Sequence, residues 1–290
     1  MHKFLRAIGF SDITKKDLEM ILDEVITRPE IMKITKDSEG NEFAELSGSF
    51  AANAGITVRG TYQEDDSFHM DYYYPYVFGT SITTNEQIDV EKHAEKESYA
   101  GVCDEVNLGV TLIFYIQNVA DYLAETNRHL SKIHYGAMLA GLSTEGKILC
   151  PVVERKKNDV PAIQKNDRHN QLIAQAREGD EDAIESLTLE DMDTYALLSQ
   201  RVMKEDIFSI VKSTFMPFGI ESDQYTVLGE IIDCVTMENK LTHEKLYGMK
   251  LLCNNIQFDV CINEKDLLGE PAIGRRFRGN VWMQGNLCLS

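Results

Sequence analysis

The chain has 290 residues, 43% of them hydrophobic and 26% charged. That is enough to bury a sizeable core in one large domain or two ordinary ones, and it excludes a chain disordered throughout. The net charge of −18 is divided evenly between residues 1–157 and 158–290, which disfavours non-specific binding to phosphate backbones.

The six cysteines, Cys103, Cys150, Cys234, Cys253, Cys261 and Cys288, include no CxxC pair. Most sit in apolar, strand-like surroundings and are expected to be reduced core thiols, which suits a cytoplasm better than an oxidising compartment. Residues Met1–Phe10 carry Lys3 and Arg6 but no following apolar stretch, so they do not form a signal peptide. The longest apolar run, Val110–Ile116, is far too short to span a bilayer. The expectation is a cytoplasmic protein without a membrane segment.

In chain order, Thr14 and Asp17 make a helix cap pair. Leu18, Ile21, Leu22, Val25 and Ile26 then recur at helical spacing until Pro29. Four strands are expected between Ile31 and Phe78. Turn clusters at Asp37–Asn41 and Glu64–Ser67 separate strand pairs, and Tyr72, Tyr74 and Tyr76 share one face of the last strand. Together they form an antiparallel meander. Residues 80–107 lack a clear period and suggest a loop with a short helix. Val110–Ile116 has the composition of a central strand, and residues 118–127 suggest a helix. A hairpin is expected over residues 133–153, turning at Ser143–Gly146.

The charged run at 155–159 marks a domain boundary. It divides an α+β sheet domain (1–157) from a helical segment followed by a β-rich module (158–290). Helices are expected over 162–215, with Asp180 and Thr188 as caps. From Thr226 the period returns to two, and the last strand alternates cleanly. The fold class expected is α+β: a mostly antiparallel N-terminal sheet with flanking helices, a helical middle, and a small C-terminal barrel or rolled sheet, OB-like in its strand content.

No Walker A loop, GxGxxG, HExxH, GxSxG or kinase signature is present. No catalytic residue, metal site or cofactor is therefore assigned. The acids between Glu178 and Asp193 fit helix N-termini better than a calcium loop. His129 and His134 are near one another in sequence, with Cys150 on the strand expected to pair with that of His134, but no feature specific to a nucleophile pair is present. The best binding candidate is the last strand, where Arg276, Arg278, Trp282 and Gln284 share a face with Arg275 beside them. Basic and aromatic groups on an open strand face can stack on a ligand or grip an anion. The competing reading is that the arginines pair with acids and Trp282 packs between layers.

The opening Met1–Phe10, the run Gly141–Leu149, and the ending from Asp266 through Gly274–Gly279 to Trp282–Gly285 resemble a bacterial family of similar length that carries a domain-of-unknown-function label. The resemblance spans nearly the whole chain and implies a bacterial cytosolic protein, with no activity or cofactor to transfer. The leading expectation is a non-catalytic binding or regulatory protein whose partner is another protein or a small molecule. The alternative is an enzyme acting on a small polar metabolite or sugar in an inter-domain cleft. A structural subunit of a larger assembly is the third.

Overall fold

The helix signal at the N-terminus is realised as α1 (Lys15–Thr27), where the Thr14 side chain accepts from the Asp17 amide. A 3₁₀ turn, Lys3–Ile8, precedes it. The computed structural model describes residues 1–92, 96–128, 134–152 and 211–289, with isolated positions 175, 180, 183 and 186 between them.

The alternating segments that follow pair as expected. β1 (Ile31–Lys36), β2 (Glu42–Ala51), β3 (Ala54–Tyr62) and β4 (Phe68–Val77) form an antiparallel sheet in that order. The Asp37 carboxylate accepts from the Glu39 and Asn41 amides and closes the first turn. Leu46, Ile56 and Val58 on one face join Leu18, Leu22 and Val25 of α1 and the buried residues of the 3₁₀ turn in a common core.

The described residues as a whole are more β-rich than expected: 54% are in strands and 15% in helices, mostly β rather than α+β. Residues 80–107 hold two strands, β5 (Thr84–Lys92) and β6 (Tyr99–Glu105), in place of a loop and helix. β7 (Val110–Ile116) leads into α2 (Val119–Asn127), both as expected. The expected hairpin over residues 133–153 is instead a single long strand, β8 (His134–Leu149). Its Gly146 was the proposed turn residue. It lies on the ladder opposite Gly279, and a Cβ there would stand 2.4 Å from the Phe277 ring. Close aromatic packing, not a turn, requires this glycine.

The remaining strands are β9 (Thr214–Pro217), β10 (Gln224–Glu238), β11 (Lys245–Cys253), β12 (Ile256–Asn263), the two-residue β13 (Leu267–Leu268) and β14 (Arg276–Leu287). They do not make a self-contained C-terminal module. β5–β14 form one mixed sheet whose pairings close into two rings. In the first, β5, β6 and β7 pair in antiparallel succession, β7 runs parallel to β14, and β14 and β5 both pair antiparallel with β8. In the second, β10, β11 and β12 pair antiparallel, β12 runs parallel to β8, and β8 and β10 both pair antiparallel with β14. The same order of pairings thus occurs twice, and the rings share the β8–β14 seam. The parallel contacts Ile116–Gly285 and Val260–Gly141 occupy corresponding places. At each of these glycines a Cβ would collide with a seam side chain: Val281 at 2.0 Å for Gly141, and Leu139 at 2.5 Å for Gly285. Phe114, Leu112, Phe258, Val227, Phe277 and Met283 belong to one apolar core drawn from strands of both rings.

By compactness the chain divides into Met1–Cys150 with Ser213–Ser290, and Pro151–Lys212. The expected boundary near 157 falls just inside the second unit, whereas the C-terminal strands belong to the first. Most of the helices expected over 162–215 lie outside the described residues. Positions 175, 183 and 186 are helical, and Asp180 accepts from the Ala183 amide at 3.2 Å, as a capping residue does. Among the described residues no helix is long and apolar enough to cross a membrane.

The N-terminal turn is held to the sheet at two points. Arg6 makes a two-pronged contact with Asp266, at 2.7 and 2.5 Å. Beside it the rings of His2 and Phe4 pack on Trp282, with centroids 4.9 and 5.2 Å away. Burial, followed by the adjacent Lys3 charge, lowers the His2 pKa from 6.5 to about 4. A histidine depressed in the folded state stays neutral there while the unfolded chain takes up a proton. Its contribution is therefore complete above pH 6.5 and is lost as pH falls toward 4, by up to about 3 kcal/mol. His2→Phe is expected to flatten that part of the curve of unfolding free energy against pH, measured by urea denaturation. An unchanged slope would rule out His2 as its source.

Candidate functional site

Strand register assembles a polar face on the first sheet. Lys33, Glu45, Arg59 and Tyr72 form one row across β1–β4, and Ile31, Ser47, Thr57 and Tyr74 form the next. Opposite charges placed directly across neighbouring strands attract. Glu45, Ser47, Thr57, Arg59 and Tyr74 of this face are buried, so these groups must satisfy one another.

Arg59 is fully buried. Its Nη1 donates to the hydroxyls of Tyr115 (2.7 Å) and Tyr72 (3.0 Å). Its Nη2 donates to the carbonyls of Gln117 (2.8 Å) and Ile116 (3.0 Å) and to the Tyr74 hydroxyl (3.1 Å). Glu45 Oε2 stands 3.2 Å from Nη2 and also accepts from the Ala120 amide at the start of α2. Glu45 therefore caps a helix and balances a buried cation at once. Burial opposes the Arg59 charge, but the phenol oxygens and Glu45 more than offset it, so its pKa lies well above the ordinary arginine value. Burial pushes the Glu45 carboxyl upward, against the pull of Arg59 and the Ala120 amide. The Tyr74 and Tyr115 phenols are raised, first by burial.

Beside this cluster is a cavity of about 330 Å³. Ile31, Lys33, Glu45, Ser47, Thr57 and Tyr74 from the sheet form one side of its lining. Gln117, Asn118 and Asp121, at the entry to α2, add further polar groups, while Phe78, Met138 and Leu287 supply apolar ones. Lys33 Nζ reaches Asp121 Oδ2 at 2.5 Å, joining β1 to α2. Ser47 and Thr57 share a hydrogen bond of 2.8 Å. Gln117 is 3% exposed and spends its Nε2 on the Val77 carbonyl and Gln284 Oε1. Its Oε1 is buried without a partner. Ligand clefts characteristically combine apolar walls with a few convergent polar groups.

A larger hollow of about 990 Å³ lies between the turns of the two hairpins. Its lining includes the exposed turn residues Gly40, Glu64 and Asp65, and neither of the buried charges described above reaches it. Among the described residues no three metal-binding side chains converge.

The residues singled out from the last strand do not share one open face. Arg275 is exposed and donates to the Glu270 carbonyl. Arg276 is 5% exposed, and its Nε donates to the Cys150 carbonyl. Arg278 is half-buried and lines a separate cavity of about 370 Å³ with Lys147 and Asn280. Trp282 is covered by His2 and Phe4, and its Nε1 donates to Asp223 Oδ2 at 2.7 Å. Gln284 is fully buried, bonded to the Pro75 carbonyl and to Gln117. Cys103, Cys253 and Cys261 are buried as expected, and Cys150 is exposed. His129 and the His134 side chain lie outside the described residues, as does most of the acidic run 178–193.

The tyrosine run serves the cluster as well as the core. Tyr72 and Tyr74 coordinate Arg59, Tyr73 receives the His2 amide, and Tyr76 stacks on Phe78. Arg59, Glu45, Tyr115 and Gln117 were not anticipated as a group. The available signal is a single arginine among the alternating residues of β3, on the face opposite Ile56 and Val58.

No curated protein and no solved structure matches the chain. Residues 5–285 match the family model described as "Domain of unknown function, E. rectale Gene description (DUF3881)". The match spans both rings and the polar cavity, and it bears out the bacterial resemblance carried by the first, middle and last segments. The chain belongs to the bacterial DUF3881 family.

Proposed function

We propose that this is a non-catalytic binding protein that takes a small polar molecule into the cavity between the first sheet and α2. The observation that carries the reading is a cavity lined by polar side chains from all four strands of that sheet and from Gln117, Asn118 and Asp121 at the entry to α2. Burial of the polar face against neighbouring elements also fixes the lining side chains in advance, which lowers the entropic cost of binding.

The test is a thermal-shift screen of small polar metabolites against the full chain, followed by calorimetry on Thr57→Val. This substitution removes one cavity hydroxyl at nearly constant shape. A binder is expected whose affinity falls about tenfold in the variant. A binder indifferent to both Thr57→Val and Ser47→Ala would place the site elsewhere. Turnover of the bound compound would overturn the non-catalytic reading in favour of an enzyme acting on a small polar metabolite or sugar.

A further inference from the structure

Resting on that cavity being the binding site, we infer that its ligand is an uncharged, hydroxyl-bearing ring compound of monosaccharide or cyclitol size. The inference follows from which polar atoms are already engaged. Glu45 spends Oε2 on the Ala120 amide and Arg59, leaving Oε1. Asp121 spends Oδ2 on Lys33, leaving Oδ1. Ser47 and Thr57 share one proton and Thr57 also bonds the Tyr74 phenol, so what remains is mainly lone pairs. The unused capacity is therefore mainly accepting, and the complementary ligand brings O–H or N–H donors.

Charge selects between those two. Each carboxylate at the cavity already has its cation, Arg59 for Glu45 and Lys33 for Asp121. An ammonium ligand would add an uncompensated positive charge beside two paired ones, and a carboxylate ligand would meet Glu45 and Asp121. A neutral polyol meets neither penalty. Size and shape agree with this. About 330 Å³ lies at the small end of the roughly 300–1,000 Å³ typical of ligand clefts, room for a single ring. The apolar side chains of Ile31, Phe78 and Met138 offer contact for the C–H surface of such a ring.

The experiment is calorimetric titration of the full chain with glucose, galactose and myo-inositol, in parallel with putrescine and malate as cationic and anionic probes. Each titration is repeated on Thr57→Val and on Asp121→Asn, with thermal melts to show that the variants are folded. Binding of at least one neutral polyol is expected, weakened about tenfold by Thr57→Val, with no heat from putrescine or malate. Putrescine or malate binding that is lost in the same variants, with no polyol bound, would overturn the ligand class and leave the cavity as a site. Polyol binding unaffected by either substitution would overturn the site as well. Absence of heat from all five probes would overturn the neutral-polyol assignment, while the broader metabolite screen continues to test the cavity.

Discussion

Arg59→Met is expected to lower the folding free energy by about 3–5 kcal/mol, the characteristic cost of breaking a buried ion pair by removing one partner. The substitution leaves Glu45 buried beside α2 without its cation and withdraws donors from the Tyr72, Tyr74 and Tyr115 hydroxyls and from two carbonyls. Glu45→Gln should cost less, because the amide oxygen can still accept from Ala120 and a neutral side chain tolerates burial better. In the double variant the two losses should combine to less than their sum, since each single change strands the partner of the other. Urea denaturation of the four proteins gives the cycle directly. A loss below about 1 kcal/mol for Arg59→Met would show that the cluster does not hold the sheets together in the way described.

Trp282→Ala should cost a similar amount, about 3–5 kcal/mol. Trp282 is the only tryptophan in the chain. It is 6% exposed, stacks on Phe4 and His2, and donates to Asp223. Truncation would leave a cavity under the N-terminal turn and remove the indole donor from the Asp223 carboxylate. The wild-type fluorescence should accordingly be that of a buried indole and shift to longer wavelength on unfolding. A mild loss, together with a spectrum already solvent-exposed in the native protein, would contradict the packing of Lys3–Ile8 over β14.

These residues also show where the sequence was readable. The first sheet is legible because turn residues and the two-residue period agree at two of its three hairpins, those at Asp37–Asn41 and Glu64–Ser67. Asp37 and Asp65 bond local backbone, an interaction that spacing alone reveals. The polar row through Arg59 follows the same period, which places Arg59 opposite Ile56 and Val58 but does not say what it faces. Period two distinguishes the two faces of a strand but not what covers each of them. Here the covering groups come from far along the chain: Tyr115, Gln117 and Ala120. β14 misled in the same way. Arg276, Trp282 and Gln284 alternate like exposed residues, yet they are buried beneath the N-terminal turn, β4 and the end of β8. Gly146 and the stretch 80–107 were misread because glycine and polar composition signal turns locally, whereas here they answer to aromatic packing and to pairing with distant strands.

The seam between β8 and β14 carries a consequence for how the protein is inherited as a unit. Each ring borrows one wall from the other half of the sequence: β14 closes the ring of β5–β8, and β8 closes the ring of β10–β14. A chain severed between residues 150 and 213 would give two pieces, each lacking one stave of its own barrel and holding the stave the other lacks. Neither piece could travel alone through gene fusion or truncation without an open edge. The arrangement thus ties residues 1–150 and 213–290 into one heritable block.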